Sequence, residues 1–504
     1  MHPVMFTIPG WAFKIIVPLL ILWGCYSIIV SVNRASPAAK KEGEAEAEGK
    51  GFQLPADSPF NAAISVAIGL TAALLATGAA WVRTRDVPPP SSSARAAPAP
   101  APVAPVVTAP TVVAAPVVSP PAVVELDARL RAKERAVAGV RGDWLSWESI
   151  ATDYMTRARM TGDYGDYAKA ERALARAFEN ASPGAGPFLT RARFNHTVHR
   201  VSRVAADLDA LRYAVLRADE REAIEHLRAE VAFHSGRYDE ARQRYTEALA
   251  RDRSTTSLVG MAQLLWKTNH FAEAEALVRE AAVRAAQEDV AMRAWVCLVS
   301  GTLENDRGRW DASLAAFREG LRLQPTSWVF QEHVAEVLMW QGKLEESRLM
   351  YEDLVARTGD PEFMSCLAEI AERQGNPDEA RRQVERARAG YEERLRLLPE
   401  ATAGHAIEFF LARSPERAVP IAELNRDARP GGEAQVKLAE AYLQAGRVAD
   451  ARRVVDAVLA TPWNTADLHA VAARVYERQG DAVAAARERE AARAIDPHSV
   501  EAGH

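Results

Sequence analysis

A small residue returns about every 33 to 39 positions from Tyr154 to the C-terminus, and a period of that size marks a solenoid. Ala158, Ala229, Ala262, Gly301, Ala335, Ala368, Ala406, Ala439 and Ala473 each stand twelve residues before a second small residue. The partners are Ala170, Ala241, Ala274, Ser313, Ser347, Ala380, Ala418, Ala451 and Ala485. Two antiparallel helices approach closely only where both present a small side chain. Between the members of each pair lies a turn residue, Gly165, Gly236, Asn269, Gly308, Gly342, Gly375, Gly446 or Gly480, with Arg413 the exception. Such a turn requires tolerance of positive φ, so each unit reads as helix, tight turn, helix. In most units a bulky residue follows two places later (Tyr167, Tyr238, Phe271, Trp310, Leu344) and another seven beyond it (Leu174, Tyr245, Val278, Phe317, Tyr351). These fill the seams between neighbouring helices.

The segment Gly308-Arg-Trp-Asp-Ala-Ser-Leu-Ala-Ala-Phe-Arg-Glu-Gly-Leu-Arg-Leu-Gln-Pro325 closely resembles the second half of a tetratricopeptide repeat. Ser313 stands for the usual Ala, and Gly320 occupies a small slot. The later units drift, with Pro377 and Pro415 at the usual aromatic place and Arg489 in a normally apolar slot. The double gap from Ala158 to Ala229 leaves room for a degenerate repeat over 190–217. The resemblance implies an all-α fold, a tetratricopeptide α-solenoid of about nine to ten repeats over 125–504.

Two apolar stretches precede the repeats. Residues 11–32 carry only Lys14 as a charge, residues 60–82 carry none, and each is long enough to span a bilayer. A signal peptide is a poor reading of the first, which lacks a basic cluster before it and a small-x-small site after it. Residues 1–86 therefore read as a membrane anchor of two transmembrane helices in contact with the lipid bilayer. Arg83 and Arg85 abut the second stretch, whereas the basic residues of the connecting loop stand beside Glu42, Glu44, Glu46 and Glu48. That asymmetry favours both termini, and the repeats, in the cytoplasm of a two-pass protein of a bacterial inner membrane. Residues 87–124 read as a linker rich in Pro and Ala; proline removes donors and fixes φ, so it is expected to lack helix and to reach up to about 100 Å.

The net charge of −5 argues against nucleic acid as a partner. Cys25, Cys297 and Cys366 have no metal or disulfide spacing. His196 and His199 stand three apart on a helix, but no third ligand is evident in sequence, so they read as surface histidines. No phosphate loop, nucleophile elbow or metalloprotease motif is present. No catalytic residue, cofactor or metal is expected, and the chain does not read as an enzyme. Its first six residues resemble the opening of prolipoprotein diacylglyceryl transferases, a likeness that stops before any catalytic segment. The alternative function it raises is an enzyme or accessory factor of envelope lipid or polymer assembly.

In tetratricopeptide solenoids the first helices of successive units line a concave groove. Carried onto this chain, the resemblance places His226, Glu230, Phe233, Thr256, Gln263, Trp266, Trp295, Thr302 and Asn305 there, followed by Glu332, Glu336, Met339, Glu362, Glu369 and Glu372. The lining reads as aromatic in the middle and acidic beyond. It would suit a protein partner offering a basic or amphipathic peptide or helix segment, with Trp266 as anchor; the opposite reading packs Trp266 and Trp295 between repeats. Two membrane helices followed by such repeats is similar to the architecture of HemY-like haem-biosynthesis proteins and of a cytochrome c maturation factor. The expected function is a membrane-anchored scaffold or assembly adaptor.

Overall fold

The computed structural model describes residues 121–139, 143–212 and 214–499. The opening hexapeptide, both apolar stretches and the linker up to residue 120 lie outside them. No helix among the described residues is long and apolar enough to cross a membrane. The chain divides after Thr111, and everything described belongs to the unit that begins at Val112.

Among the described residues the secondary structure is helix without strand. Helix α1 spans Pro121–Val137 and thus overlaps the end of the stretch read as linker, because proline at a first helical position has no intrahelical donor to lose. Ten antiparallel hairpins follow. Hairpin 1 is α2 (Trp144–Thr161) with α3 (Tyr164–Asn180), and hairpin 2, the shortest, is α4 (Phe188–Thr197) with α5 (Val201–Ala210). Hairpins 3 to 5 are α6 (Ala218–His234) with α7 (Tyr238–Arg251), α8 (Thr255–Lys267) with α9 (Phe271–Ala285), and α10 (Val290–Asn305) with α11 (Trp310–Leu323). Hairpins 6 and 7 are α12 (Trp328–Trp340) with α13 (Leu344–Thr358), and α14 (Pro361–Arg373) with α15 (Pro377–Leu397). Hairpins 8 to 10 are α16 (Pro399–Arg413) with α17 (Pro415–Ala428), α18 (Gly432–Gln444) with α19 (Val448–Leu459), and α20 (Ala466–Arg478) with α21 (Ala482–Ile495).

Each tight turn has a physical signature. Gly236, Gly308, Gly342, Gly375, Gly446 and Gly480 all have φ between 64° and 80°, and Asn269 takes the same left-handed conformation at φ 63°. The first hairpin differs from expectation: Gly162, at φ 74°, closes α2, while Gly165 lies in the first turn of α3, where Asp163 accepts its N–H at 2.8 Å. Arg413 needs no left-handed residue, because Ser414 is extended and Pro415 opens α17 directly. Pro377 likewise sits at the start of a second helix, which explains its place where an aromatic is usual.

Small residues let rings enter the seams. A Cβ on Gly260 would lie 2.4 Å from the Tyr245 ring, and one on Gly301 2.3 Å from that of Phe317. Ser347 fills an alanine slot without an unpaired hydroxyl, since its Oγ donates to the Ala335 carbonyl at 2.7 Å.

The solenoid winds back onto itself with an offset of about six hairpins. Hairpin 1 meets the junction of hairpins 6 and 7: Trp328 Nε1 donates to the Arg159 carbonyl at 2.8 Å, and the Arg394 guanidinium lies 4.1 Å from the Tyr164 ring centre. Hairpin 2 meets hairpin 8 through Arg200 and Glu400, 3.1 Å apart. Hairpin 3 meets hairpin 9 where the Gly432 N–H donates to the Tyr238 hydroxyl at 2.7 Å. Trp463 packs against Phe233 and Tyr238, with ring centres 6.0 and 5.9 Å away. The Asn464 N–H donates to the Lys267 carbonyl of hairpin 4 at 2.9 Å. His498, beyond hairpin 10, stacks on Trp310 of hairpin 5 at 3.9 Å. A second turn of the superhelix is thereby seated in register on the first.

Candidate functional site

Polar side chains of several first helices lie close together. There α4, α6, α8, α12, α14, α16, α18 and α20 bring together charges that are distant in sequence. Lys437 pairs with Glu408 across α18 and α16, and Lys267 pairs with Asp306 at 2.5 Å. Burial pushes the Glu433 carboxyl up, but Arg429, Lys267 and Lys437 overcome it and hold the group down at about 2. Asp467 is raised, by burial and by the charge of Asp306. His405 lies 3.1 Å from Glu362, whose charge raises the imidazole pKa against its burial.

An acidic cluster stands on α12. His333 Nδ1 lies 3.0 Å from Glu332 and 3.5 Å from Glu336. Burial, with the charges of Glu332 and Glu362 added, pushes Glu336 up to about 7 despite the opposing His333. His333 is itself raised: burial alone would lower it, but the two flanking carboxylates prevail. Glu369 pairs with Arg373 at 3.5 Å, and Glu372 is exposed.

A second cluster joins hairpins 2 and 3. His196 Nε2 and His234 Nε2 lie 3.9 and 3.5 Å from Glu230 Oε2, while His226 Nε2 lies 3.7 Å from Oε1. The Tyr245 hydroxyl donates to Oε1 at 2.5 Å. Burial lowers His196 to about 4. Burial also opposes ionisation of Glu230, but the contact with His234 and the charges of the three histidines hold it below the carboxylate range.

The winding redistributes the residues expected to line a groove. His226, Glu230, Glu332, Glu336, Glu362, Glu369 and Glu372 belong to the polar face just described, and Gln263, Asn305, Thr256 and Thr302 keep partial exposure. Phe233, Trp266 and Met339 do not offer themselves to a partner, being 3%, 4% and 4% exposed. Trp266 is packed into the core with Nε1 donating to Asp306 at 2.9 Å, and Trp295 packs against the same core. Trp463, just before hairpin 10, covers Phe233. His196 and His199 are both partly exposed. They diverge, His199 stacking on His405 at 6.3 Å and His196 facing His234 at 5.8 Å. Sequence reasoning passed over His234, Lys267, His333, Lys437 and Asp467. Their position on first helices of recurring units was the available signal.

Repeat units, left-handed turns and small-residue seams of this kind define a tetratricopeptide solenoid. Models of the tetratricopeptide repeat match residues 232–294, 335–394 and 432–457, so the chain carries tetratricopeptide repeats. It is similar to the structure of the Rap conjugation gene regulator of the plasmid pLS20 in complex with the Phr* peptide. That match has 14% identity and a TM-score of 0.36, over 72% of this chain and 97% of that one. Yeast Tom70 matches with 14% identity and a TM-score of 0.33, over 74% of this chain and 88% of that one. A tetratricopeptide repeat protein from Parabacteroides merdae ATCC 43184 matches with 15% identity and a TM-score of 0.30, over 48% and 93%. No curated protein matches the chain. The likeness of the first six residues to diacylglyceryl transferases finds no support in these matches.

Proposed function

We propose that this protein is a non-enzymatic scaffold that receives a basic segment of a partner protein on the acidic part of its inner face. Residues 1–86 tether it to a bacterial inner membrane, with the repeats on the cytoplasmic side and residues 87–120 as spacer. The observation that supports the partner's chemistry is the grouping of Glu332, Glu336 and Glu362: burial first, and then the charges of Glu332 and Glu362, push Glu336 up to about 7 against the opposing His333. A Lys or Arg side chain entering there would neutralise that crowding, with Glu369 and Glu372 steering its approach. The core position of Trp266 makes charge, rather than an aromatic anchor, the basis of recognition. The test is affinity capture from membranes with full-length protein, comparing wild type with Glu369→Lys/Glu372→Lys. A reproducible partner whose yield falls with the charge reversal supports the reading. Equal capture by both forms, or turnover of a lipid or glycan without any partner, defeats it.

A further inference from the structure

The inner face holds a second constellation whose chemistry is not that of a peptide groove. Glu230 Oε2 faces two imidazole nitrogens, His196 Nε2 from the last turn of α4 and His234 Nε2 from the last turn of α6. These three ligand atoms all lie within 4.8 Å of one another. From the geometry of this triad we propose a binding site for a divalent transition-metal cation, zinc being the best match, held by His196, Glu230 and His234.

Two imidazoles and one carboxylate oxygen are donors that zinc accepts at about 2.0 to 2.2 Å, so a small inward shift of three side chains completes the set. A fourth position is left for water. The carboxylate is already oriented for single-oxygen ligation, because Tyr245 donates to Oε1 at 2.5 Å and His226 stands beside the same oxygen, leaving Oε2 to the two imidazoles. Outer partners of this kind fix a ligand's direction and strengthen its binding. A cleft of about 320 Å³ lined by Thr152, Arg159, Thr190, Arg193 and Leu227, among others, reaches His196, one of the three ligands. The ligands come from two hairpins, so the ion would clip the short hairpin 2, whose helices have ten residues each, to hairpin 3. His199 takes no part, being stacked on His405. The spacing of His196 and His199 thus points to the wrong pair. The other two ligands, Glu230 and His234, arrive from the next hairpin.

The test uses full-length protein titrated with Co²⁺ alone, followed by visible ligand-field absorption and by displacement with Zn²⁺. One equivalent of tetrahedral or five-coordinate Co²⁺ per chain is expected, together with a rise in Tm on metal addition. His196→Ala and His234→Ala should each weaken binding by about tenfold or more while the apo circular dichroism spectrum is unchanged. His405→Ala should bind as wild type does. Because both histidines keep partial exposure, their loss is compatible with folding, which separates ligand loss from unfolding. A Co²⁺ spectrum that survives in both histidine variants, or no binding by wild type, overturns the site.

Discussion

The backbone N–H of Gly432 donates to the hydroxyl of Tyr238 at 2.7 Å, joining residues 194 positions apart. Gly432 has no side chain because the Trp463 ring occupies that space: a Cβ would lie 2.2 Å from it. One glycine therefore admits an indole and spends its amide on a phenol, and hairpin 9 is seated on hairpin 3.

Removing that acceptor leaves a buried donor unsatisfied. Tyr238→Phe should cost about 1 to 3 kcal/mol in urea unfolding. It should also raise hydrogen exchange at both 230–240 and 430–440. Faster exchange in the first segment alone would show that the two turns are not energetically joined.

The closest helix contact in hairpin 6 can be probed by bulk. Ala335 is fully buried, so Ala335→Leu should cost about 1 to 3 kcal/mol. Arg348 makes ion pairs with Glu345 and Glu352 on an open surface, and Arg348→Leu should cost less than about 1 kcal/mol. Thermal melts of the two variants decide the register: equal shifts would refute it.

Trp266→Ala should behave as a core deletion, costing about 3 to 5 kcal/mol. Partner affinity, measured on the fraction that remains folded, should change little. In Glu369→Lys/Glu372→Lys the pattern reverses: Tm is held, while association with a basic segment slows on the order of tenfold at low salt. A folded Trp266→Ala protein that had lost its partner would restore the aromatic anchor.

Glu336 makes a pH prediction. Its ordinary value is 4.5 and its folded value about 7, so between those pH values the folded chain keeps a proton that the unfolded chain has released. Its contribution to stability is present below about pH 4.5 and is lost as pH rises through about 7. His333, raised by the same carboxylates, acts in the same direction. The other groups facing Glu336 are Glu332, Glu362, Tyr351 and Cys366. Glu336→Gln should therefore melt above wild type at pH 8 and close to it at pH 5. A larger gain at pH 5 than at pH 8 would contradict the sign.

The parts of the fold legible in sequence are those set by local backbone chemistry. A left-handed turn admits little besides Gly and Asn, so Gly236, Asn269, Gly308, Gly342, Gly375, Gly446 and Gly480 announce themselves. Gly165 misleads because Gly162, three places earlier, satisfies the same need. Burial of Phe233 was not legible: Trp463 covers it, and no local pattern encodes an offset of six hairpins. The triad at Glu230 was hidden for another reason: Glu230 and His234 share α6, but His196 meets them only through the packing of the neighbouring hairpin.

Hairpins in an open array have two neighbours each, so fraying begins at either end and the middle is indifferent to it. In this chain the touching coils convert the line into a lattice rolled on a cylinder. Most hairpins acquire a neighbour across the coil as well as along it. During synthesis hairpin 3 emerges with Phe233 and Tyr238 uncovered, and they stay wet until Gly432 and Trp463 have been translated. Trp310 likewise waits for His498, so residues made far downstream complete a surface begun earlier in the chain.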